Sequence, residues 1–304
     1  MKEKGVALIT ALLIVALVVI IATSLLEKQH IIMQRTANHL QQEQAYLYAL
    51  GAESWATKIL MRDRQQNKVD HLSEMWAKQL PPAFISGGQL NGRLTDEQGK
   101  FNINNLLDHE NKPSPENIQR FERLLKKLEL PVNIAMQALD WIDRDTNVQM
   151  GGAEDNEYSL QNPPYRTANL RFQSIEELRL LLGMKEAYFK VLSPHITVLP
   201  TSTPINLNTT SVEILMSMVE NLPQISATTL LEKARQGMYK TVEDFLKESL
   251  LNNLKVDMKG LSVSSDYFRL ETTVIIGENM IKIDSLLQRD EQQCRVLMRH
   301  LRGE

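Results

Sequence analysis

The sequence predicts an α+β chain in which a long amino-terminal helix packs on an antiparallel β-sheet and a large helical block interrupts that sheet. Three observations carry the prediction. Residues 6–26 are apolar and uncharged, and they run without a break into an amphipathic helical pattern. Strand-like segments lie near residues 89–103 and 268–301, far apart in the chain. Between them, residues 114–254 show helical periodicity. At 304 residues the chain is long enough for about two domains with a substantial core. Its 43% apolar and 23% charged residues make a globular composition, which excludes a disordered or collagen-like chain. Lys plus Arg is 34 against 37 Asp plus Glu, a formal net charge of -3, and a dedicated nucleic-acid binder usually carries a basic excess. Cys294 is the single cysteine, so there is no intramolecular disulfide framework and no cysteine-rich metal module.

The elements follow in chain order. Residues 6–26, VALITALLIVALVVIIATSLL, rise about 31 Å as a helix, which matches a hydrocarbon core of roughly 30 Å. A cleavable signal has a shorter apolar region, about 7–15 residues, ending in a small-residue cut site; this stretch instead runs into Glu27 and Lys28. Lys2 and Lys4 favour a cytoplasmic amino terminus, which places the rest of the chain on the far side of the membrane. Beyond the span, Ala45, Tyr48, Ala52, Trp55 and Ile59 recur at helical spacing as an apolar stripe, read as a helix interface. Pro81, Pro82, Gly87 and Gly88 end this region. Residues 89–95 and 100–103 flank Asp96-Glu97-Gln98-Gly99, which reads as a four-residue hairpin turn. Helical patterns follow over 115–128, 133–142, 210–221, 227–236 and 241–250, with a capping box from Ser174 to Glu177 opening another. Phe268, Leu270, Thr272, Val274 and Ile276 alternate as a strand; a turn at 277–279 leads into 280–287, and a last strand falls within 291–301.

One segment is dense in ligand chemistry. Residues 140–157 hold six acids, Asp140, Asp143, Asp145, Glu154, Asp155 and Glu157, against Arg144 alone. A hard cation such as Ca²⁺ needs six to eight converging oxygens, and an acidic loop with Gly151 and Gly152 can supply them. The spacing is not that of an EF-hand, and a solvated acidic loop fits the same residues. Enzyme signatures are missing: there is no G-x-S-x-G, H-E-x-x-H, G-x-x-x-x-G-K-[ST] or G-x-G-x-x-G. The six histidines are scattered, Cys294 reads as an inert packed thiol, and Asp96 and Glu97 read as turn residues. The chain is therefore expected not to be an enzyme.

A short basic leader ending in Gly5, directly before an apolar helix, resembles the amino terminus of type IV pilins and pseudopilins. The resemblance implies cleavage between Gly5 and Val6 by a prepilin peptidase, followed by methylation of the new terminus. Most members carry a glutamate at the fifth mature position, where this chain has Thr10. Together with DEQGKFNINNL (96–106), ALDWIDRD (138–145), SIEELRLLLGM (174–184) and PINLNTTSVEILMSM (204–218), the chain resembles the protein K family of type II secretion, the large minor pseudopilins. That family implies a pilin-like fold with an inserted helical domain that binds calcium. The implied division is a leader at 1–5, a transmembrane helix at 6–26, pilin-like parts at 27–105 and 261–304, and the helical domain at 106–260. It also implies a single pass through the cell inner membrane with the carboxy-terminal domain in the periplasm, and a place at the pseudopilus tip among other minor pseudopilins. The alternative is a membrane-tethered nucleic-acid-binding protein of DNA uptake, because residues 205–245 resemble half of a helix-hairpin-helix. The turn there, Leu222-Pro-Gln-Ile-Ser226, lacks the glycine that lets backbone N–H groups approach phosphate. A protein-packing role, with no nucleic acid bound, is the expectation.

Overall fold

The computed structural model describes residues 3–79, 81–256 and 258–302, with side chains described from residue 7 onward. The chain opens with one uninterrupted helix, α1 (Glu3–Gln66), about 96 Å long at 1.5 Å per residue. Its apolar window has a mean hydropathy of 2.9 and no buried residues, so it is long and apolar enough to cross a membrane. Further along, Ala45, Ala49, Ala52, Ala56 and Leu60 turn inward at spacings of three and four, and these mostly small side chains let α1 lie close on a sheet. The helix ends at Gln66, well before the prolines.

After an irregular segment the chain forms β1 (Ala83–Ile85) and β2 (Gly88–Asp96), then leaves the sheet. The helical domain follows: β3 (Phe101–Asn102), α2 (Pro115–Lys127), α3 (Ile134–Ile142), α4 (Asp155–Ser159), α5 (Glu186–Leu192), β4 (Ile196–Thr197), β5 (Ile205–Asn206), α6 (Val212–Met218), α7 (Gln224–Arg235), α8 (Val242–Leu246) and β6 (Leu261–Ser262). The chain returns as β7 (Tyr267–Ile276), β8 (Asn279–Arg289) and β9 (Cys294–Arg302). The main sheet has the order β1-β2-β7-β8-β9 and is antiparallel throughout. Its inward residues Phe268, Leu270, Val274, Ile283 and Leu287 meet α1. The helical domain has a separate, larger core built around Phe101, Phe121, Leu124, Trp141, Leu215 and Phe245.

The α+β, pilin-like architecture with an inserted helical domain is as the sequence predicts, and three details differ. Residues 96–99 do not turn a hairpin: β2 pairs with β7, Asp96 opposite Phe268, and Phe101 and Asn102 pair in parallel with Ile196 and Thr197. The reason is that Asp96, Glu97 and Gln98 are buried and fully engaged at the junction of the two domains. The helical domain accordingly starts near residue 101 rather than 106, since Phe101 and Ile103 belong to its core. The Ser174–Glu177 capping box is present, but it opens a 3-10 helix, Ile175–Leu180, rather than an α-helix.

The junction is polar and buried. Arg289, at the end of β8, donates to Asp70 at 2.6 and 2.7 Å and to Asp63 near the end of α1 at 3.1 Å. Asp96 accepts from Ser265 and Thr209 at 2.6 Å and from Asn206 at 3.0 Å. Glu97, fully buried, is held by Lys100 at 2.8 Å and Arg269 at 3.0 Å. Apart from the local Lys100–Glu97 pair these contacts join residues far apart in the chain, and each satisfies a group whose burial alone would be costly. Because this junction sits at the carboxy-terminal end of α1, the helical domain stands at the end of the pilin-like part farthest from the apolar span.

Candidate metal centre and helix face

The acidic loop leaves α3 and returns through α4. Three of its six acids are buried and incompletely satisfied. Asp140 Oδ1, both carboxylate oxygens of Asp143, and Glu154 Oε1 are buried without a hydrogen-bond partner. Asp140 keeps its other oxygen on the backbone N–H of Gln149 at 3.1 Å. Burial pushes the Asp140 and Asp143 carboxyls up to about 6, and Asp145 beside them adds to both shifts. Burial, then the Asp140 and Asp143 charges, pushes Glu154 up to about 7. Gly152 lies against this cluster so closely that an added Cβ would collide with Asp140 Oδ2. The four buried oxygens without partners belong to three mutually repelling carboxylates and are of the hard-oxygen type that Ca²⁺ takes, but the three do not bring one oxygen each within 4.8 Å of one another.

The other three predicted ligands have structural partners. Asp145 is exposed and accepts from the backbone of Asn147. Asp155 holds Thr167 by its N–H and hydroxyl, and Glu157 caps α4 by accepting from the Glu154 backbone. Asp140, Asp143 and Glu154 are thus the loop acids left with unpartnered buried oxygens. Among the described residues, the trio of acids whose oxygens all lie within 4.8 Å of one another is Asp63, Asp70 and Glu74, outside this loop. There the Arg289 guanidinium already supplies positive charge to Asp63 and Asp70. Glu74 takes the Trp76 indole N–H at 2.7 Å and the His71 N–H at 3.0 Å. Sequence reading missed this group although its members fall within residues 63–74, because only the fold brings their oxygens together beside Arg289. The one local signal is an arginine at the inward register of β8, in line with Ile283 and Leu287.

The predicted helix stripe divides between two roles. Ala45 is buried against this chain's own sheet, whereas Ala52, 8% exposed, borders an open groove. Tyr48, Ala52, Trp55 and Ile59 line this apolar groove of about 470 Å³ together with Met75, Trp76, Leu90 and Leu94. Trp55 is 51% exposed, a large apolar surface for a side chain of a monomer. Sequence reading also missed Glu53, which points into the sheet and binds Arg299 through both oxygens at 2.8 and 2.9 Å, fixing the helix register. Thr10 donates to the Ala7 carbonyl at 3.0 Å, so its hydroxyl is satisfied within α1. Gly5 and Val6 lie in the first turns of α1, and their side chains are outside the described residues. In the segment resembling a helix-hairpin-helix, α6 and α7 both contribute to the helical-domain core, through Ile214, Leu215, Leu230 and Leu231.

Comparison with known proteins adds the following. Family models described as type II secretion system (T2SS), protein K match residues 99–201 and 205–264. The type II secretion system protein K of Pseudomonas aeruginosa is 36% identical over 312 residues, covering 98% of this chain and 93% of that protein. Its counterpart in Klebsiella pneumoniae is 32% identical over 315 residues, covering 98% and 96%. Among solved structures, a chain of the GspK-GspI-GspJ complex from the enterotoxigenic Escherichia coli type 2 secretion system superposes with a TM-score of 0.79. It is 29% identical and covers 89% of this chain and 100% of its own.

Proposed function

This chain belongs to the type II secretion system protein K family, and we propose that it is the minor pseudopilin at the tip of the periplasmic pseudopilus. The observation that carries the tip position is the mounting of the helical domain. It stands at the membrane-distal end of α1, fixed there by the buried Arg289–Asp70–Asp63 junction, where a further stacked subunit would have to sit. Thr10 is consistent with that place. Its hydroxyl is already used by Ala7, and it offers no carboxylate to a neighbour's charged terminus in a low-dielectric bundle. The apolar part of α1 anchors the chain once in the inner membrane with both domains in the periplasm. A prepilin peptidase frees Val6 from Gly5, and methylation follows. The groove beside Trp55 and the exposed faces of α1 take other minor pseudopilins. Its role is structural rather than catalytic.

Calcium belongs to this reading as a stabiliser of the helical domain. Asp140, Asp143 and Glu154 would hold the ion, with backbone carbonyls and water completing the shell; the ion supplies charge that the loop lacks. Co-purification tests the assembly reading. Full-length chain extracted from membranes with the other minor pseudopilins present is expected to emerge as one stable complex. Elution of the chain alone under conditions where the others associate would overturn it.

A further inference from the structure

We propose that the irregular segment at 67–76 is a strap latched over the end of α1 by a proton held on Asp63, and that it loosens as pH rises toward neutrality. The strap reaches three parts of the molecule. Trp76 is buried against Phe268 of the sheet, with ring centroids 5.1 Å apart. Asp70 receives the Arg289 guanidinium of β8, and its backbone carbonyl accepts from the Asn206 side-chain amide at 3.1 Å. His71 lies against Gly237, just beyond α7, so closely that a Cβ there would meet the ring at 2.6 Å. Met75, Trp76 and Lys78 also wall the groove beside Trp55, so the grip of the strap sets the shape of the groove.

Charge and hydrogen bonding together locate the proton. Asp63, Asp70 and Glu74 bring carboxylate oxygens within 4.8 Å of one another, and one guanidinium, Arg289, serves both Asp63 and Asp70. Three buried or half-buried negative charges beside one positive charge repel unless one of them is neutralised. Asp70 accepts from Arg289 at 2.6 and 2.7 Å and from the Ser265 N–H at 2.8 Å. Glu74 accepts from the Trp76 indole at 2.7 Å, the His71 N–H at 3.0 Å and the Asn67 amide at 2.7 Å. Both are ringed by donors, which favour the ionised form. Asp63, among the described residues, has one side-chain partner, Arg289 at 3.1 Å. Burial, then the Glu74 and Asp70 charges, pushes its carboxyl up to about 7. The other charged groups nearby are occupied. Arg64 is turned to Glu291 at 2.8 Å and Asp266 at 3.9 Å, and His71 stands 3.6 Å from Glu74. Asp96, pushed up to about 6 mainly by burial, shares Ser265 with Asp70. The closed strap therefore holds a proton that an exposed Asp63, at its ordinary 3.8, would release. The latch is at full strength below about pH 4 and is lost as pH rises through 7.

Hydrogen exchange on the full-length chain in detergent reads the latch. Protection factors over residues 67–76 divide out the chemical pH dependence of exchange and leave the opening constant. In the wild type that constant is expected to rise more than about tenfold from pH 5 to pH 7. Asp63→Asn keeps an acceptor for Arg289 without the charge, and its strap is expected to stay as protected at pH 7 as the wild type at pH 5. A contact that is only structural predicts the opposite sign, a looser strap in the variant at pH 7, and that result would overturn the latch. A wild-type strap indifferent to pH would overturn it as well. A rise that persists in Asp63→Asn would move the proton to Asp96 or His71. Loss of protection in β7 and β8 in step with the strap would mean global unfolding instead of a local opening, and would also count against it. Calcium that restores strap protection at pH 8 in Asp143→Asn would put a metal ion where the proton is placed, contradicting the proposal.

Discussion

Calcium removal is the perturbation whose size follows most directly from the acidic loop. Without a cation, Asp140, Asp143 and Glu154 are buried with four unsatisfied oxygens and carboxyls raised to about 6, 6 and 7. Folded-state values above those of the unfolded chain mean that the stability these groups allow is present below about pH 4 and lost as pH rises through 6 to 7. In chelator, the helical domain is therefore expected to melt at a lower temperature at pH 8 than at pH 5. Calcium is expected to reverse the trend, because it would bind the deprotonated carboxylates of the folded domain and find no equivalent site in the unfolded chain. For a site with a dissociation constant of about 10 μM in 1 mM calcium, mass action gives ~2.7 kcal/mol. At ~2–4 °C per kcal/mol that raises the melting temperature by roughly 5–11 °C. Magnesium, which demands tighter octahedral geometry, should give less. Asp143→Asn separates this account from a solvated loop, because its two effects have opposite signs. It removes a charge that burial and the neighbouring carboxylates disfavour, so the variant should melt higher than the wild type in chelator at pH 8. The same change should erase most of the calcium response. Scanning calorimetry with calcium, magnesium and chelator at pH 5 and 8 reads all of this. Melting indifferent to calcium, or an undiminished response in Asp143→Asn, would refute the metal centre.

Three further outcomes are expected. Glu97→Gln leaves Arg269 and Lys100 facing a neutral group at a fully buried position and should cost about 3 kcal/mol near neutrality. Burial opposes the Glu97 charge, but Lys100 and Arg269 win and hold the carboxyl down at about 2, so denaturant titrations should show the gap to wild type closing as pH falls from about 4.5 toward 2. Gly152→Ala drives a methyl group into Asp140 Oδ2 and should at least halve the calcium-dependent rise in melting temperature, measured in the same scans. Gly5→Val should block processing, with intact mass of the membrane-extracted protein retaining the first five residues; a wild-type terminus near residue 26 would contradict a prepilin leader.

What could be read from the sequence was local. The apolar span, the alternation of 268–276, the turn at 277–279 and the Ser174–Glu177 box all announce themselves within ten to twenty residues, and each is found in the structure. The pairing of β2 with β7 could not be read, because some 170 residues separate the partners and the nearer segment at 100–103 offered a competing match. Asp96 and Glu97 carry turn chemistry in sequence, and only the arrival of Asn206, Ser265 and Arg269 turns them into a buried junction. The helix face was half legible. Alanines at 45, 49, 52 and 56 contribute little hydrophobic contrast, so the larger Tyr48 and Trp55 drew the stripe toward the groove and away from the packed side. In the acidic loop, composition marked the place, while burial separates Asp140, Asp143 and Glu154 from Asp155 and Glu157, whose oxygens hold backbone and Thr167.

The tip position is tested most directly by labelling. A small tag in the exposed loop at Met150, decorated with gold on pseudopili sheared from cells, shows where this chain sits along the filament. The account predicts at most one labelled site per pseudopilus, always at an end. Label distributed along the length would mean that subunits stack above the helical domain, and would contradict it.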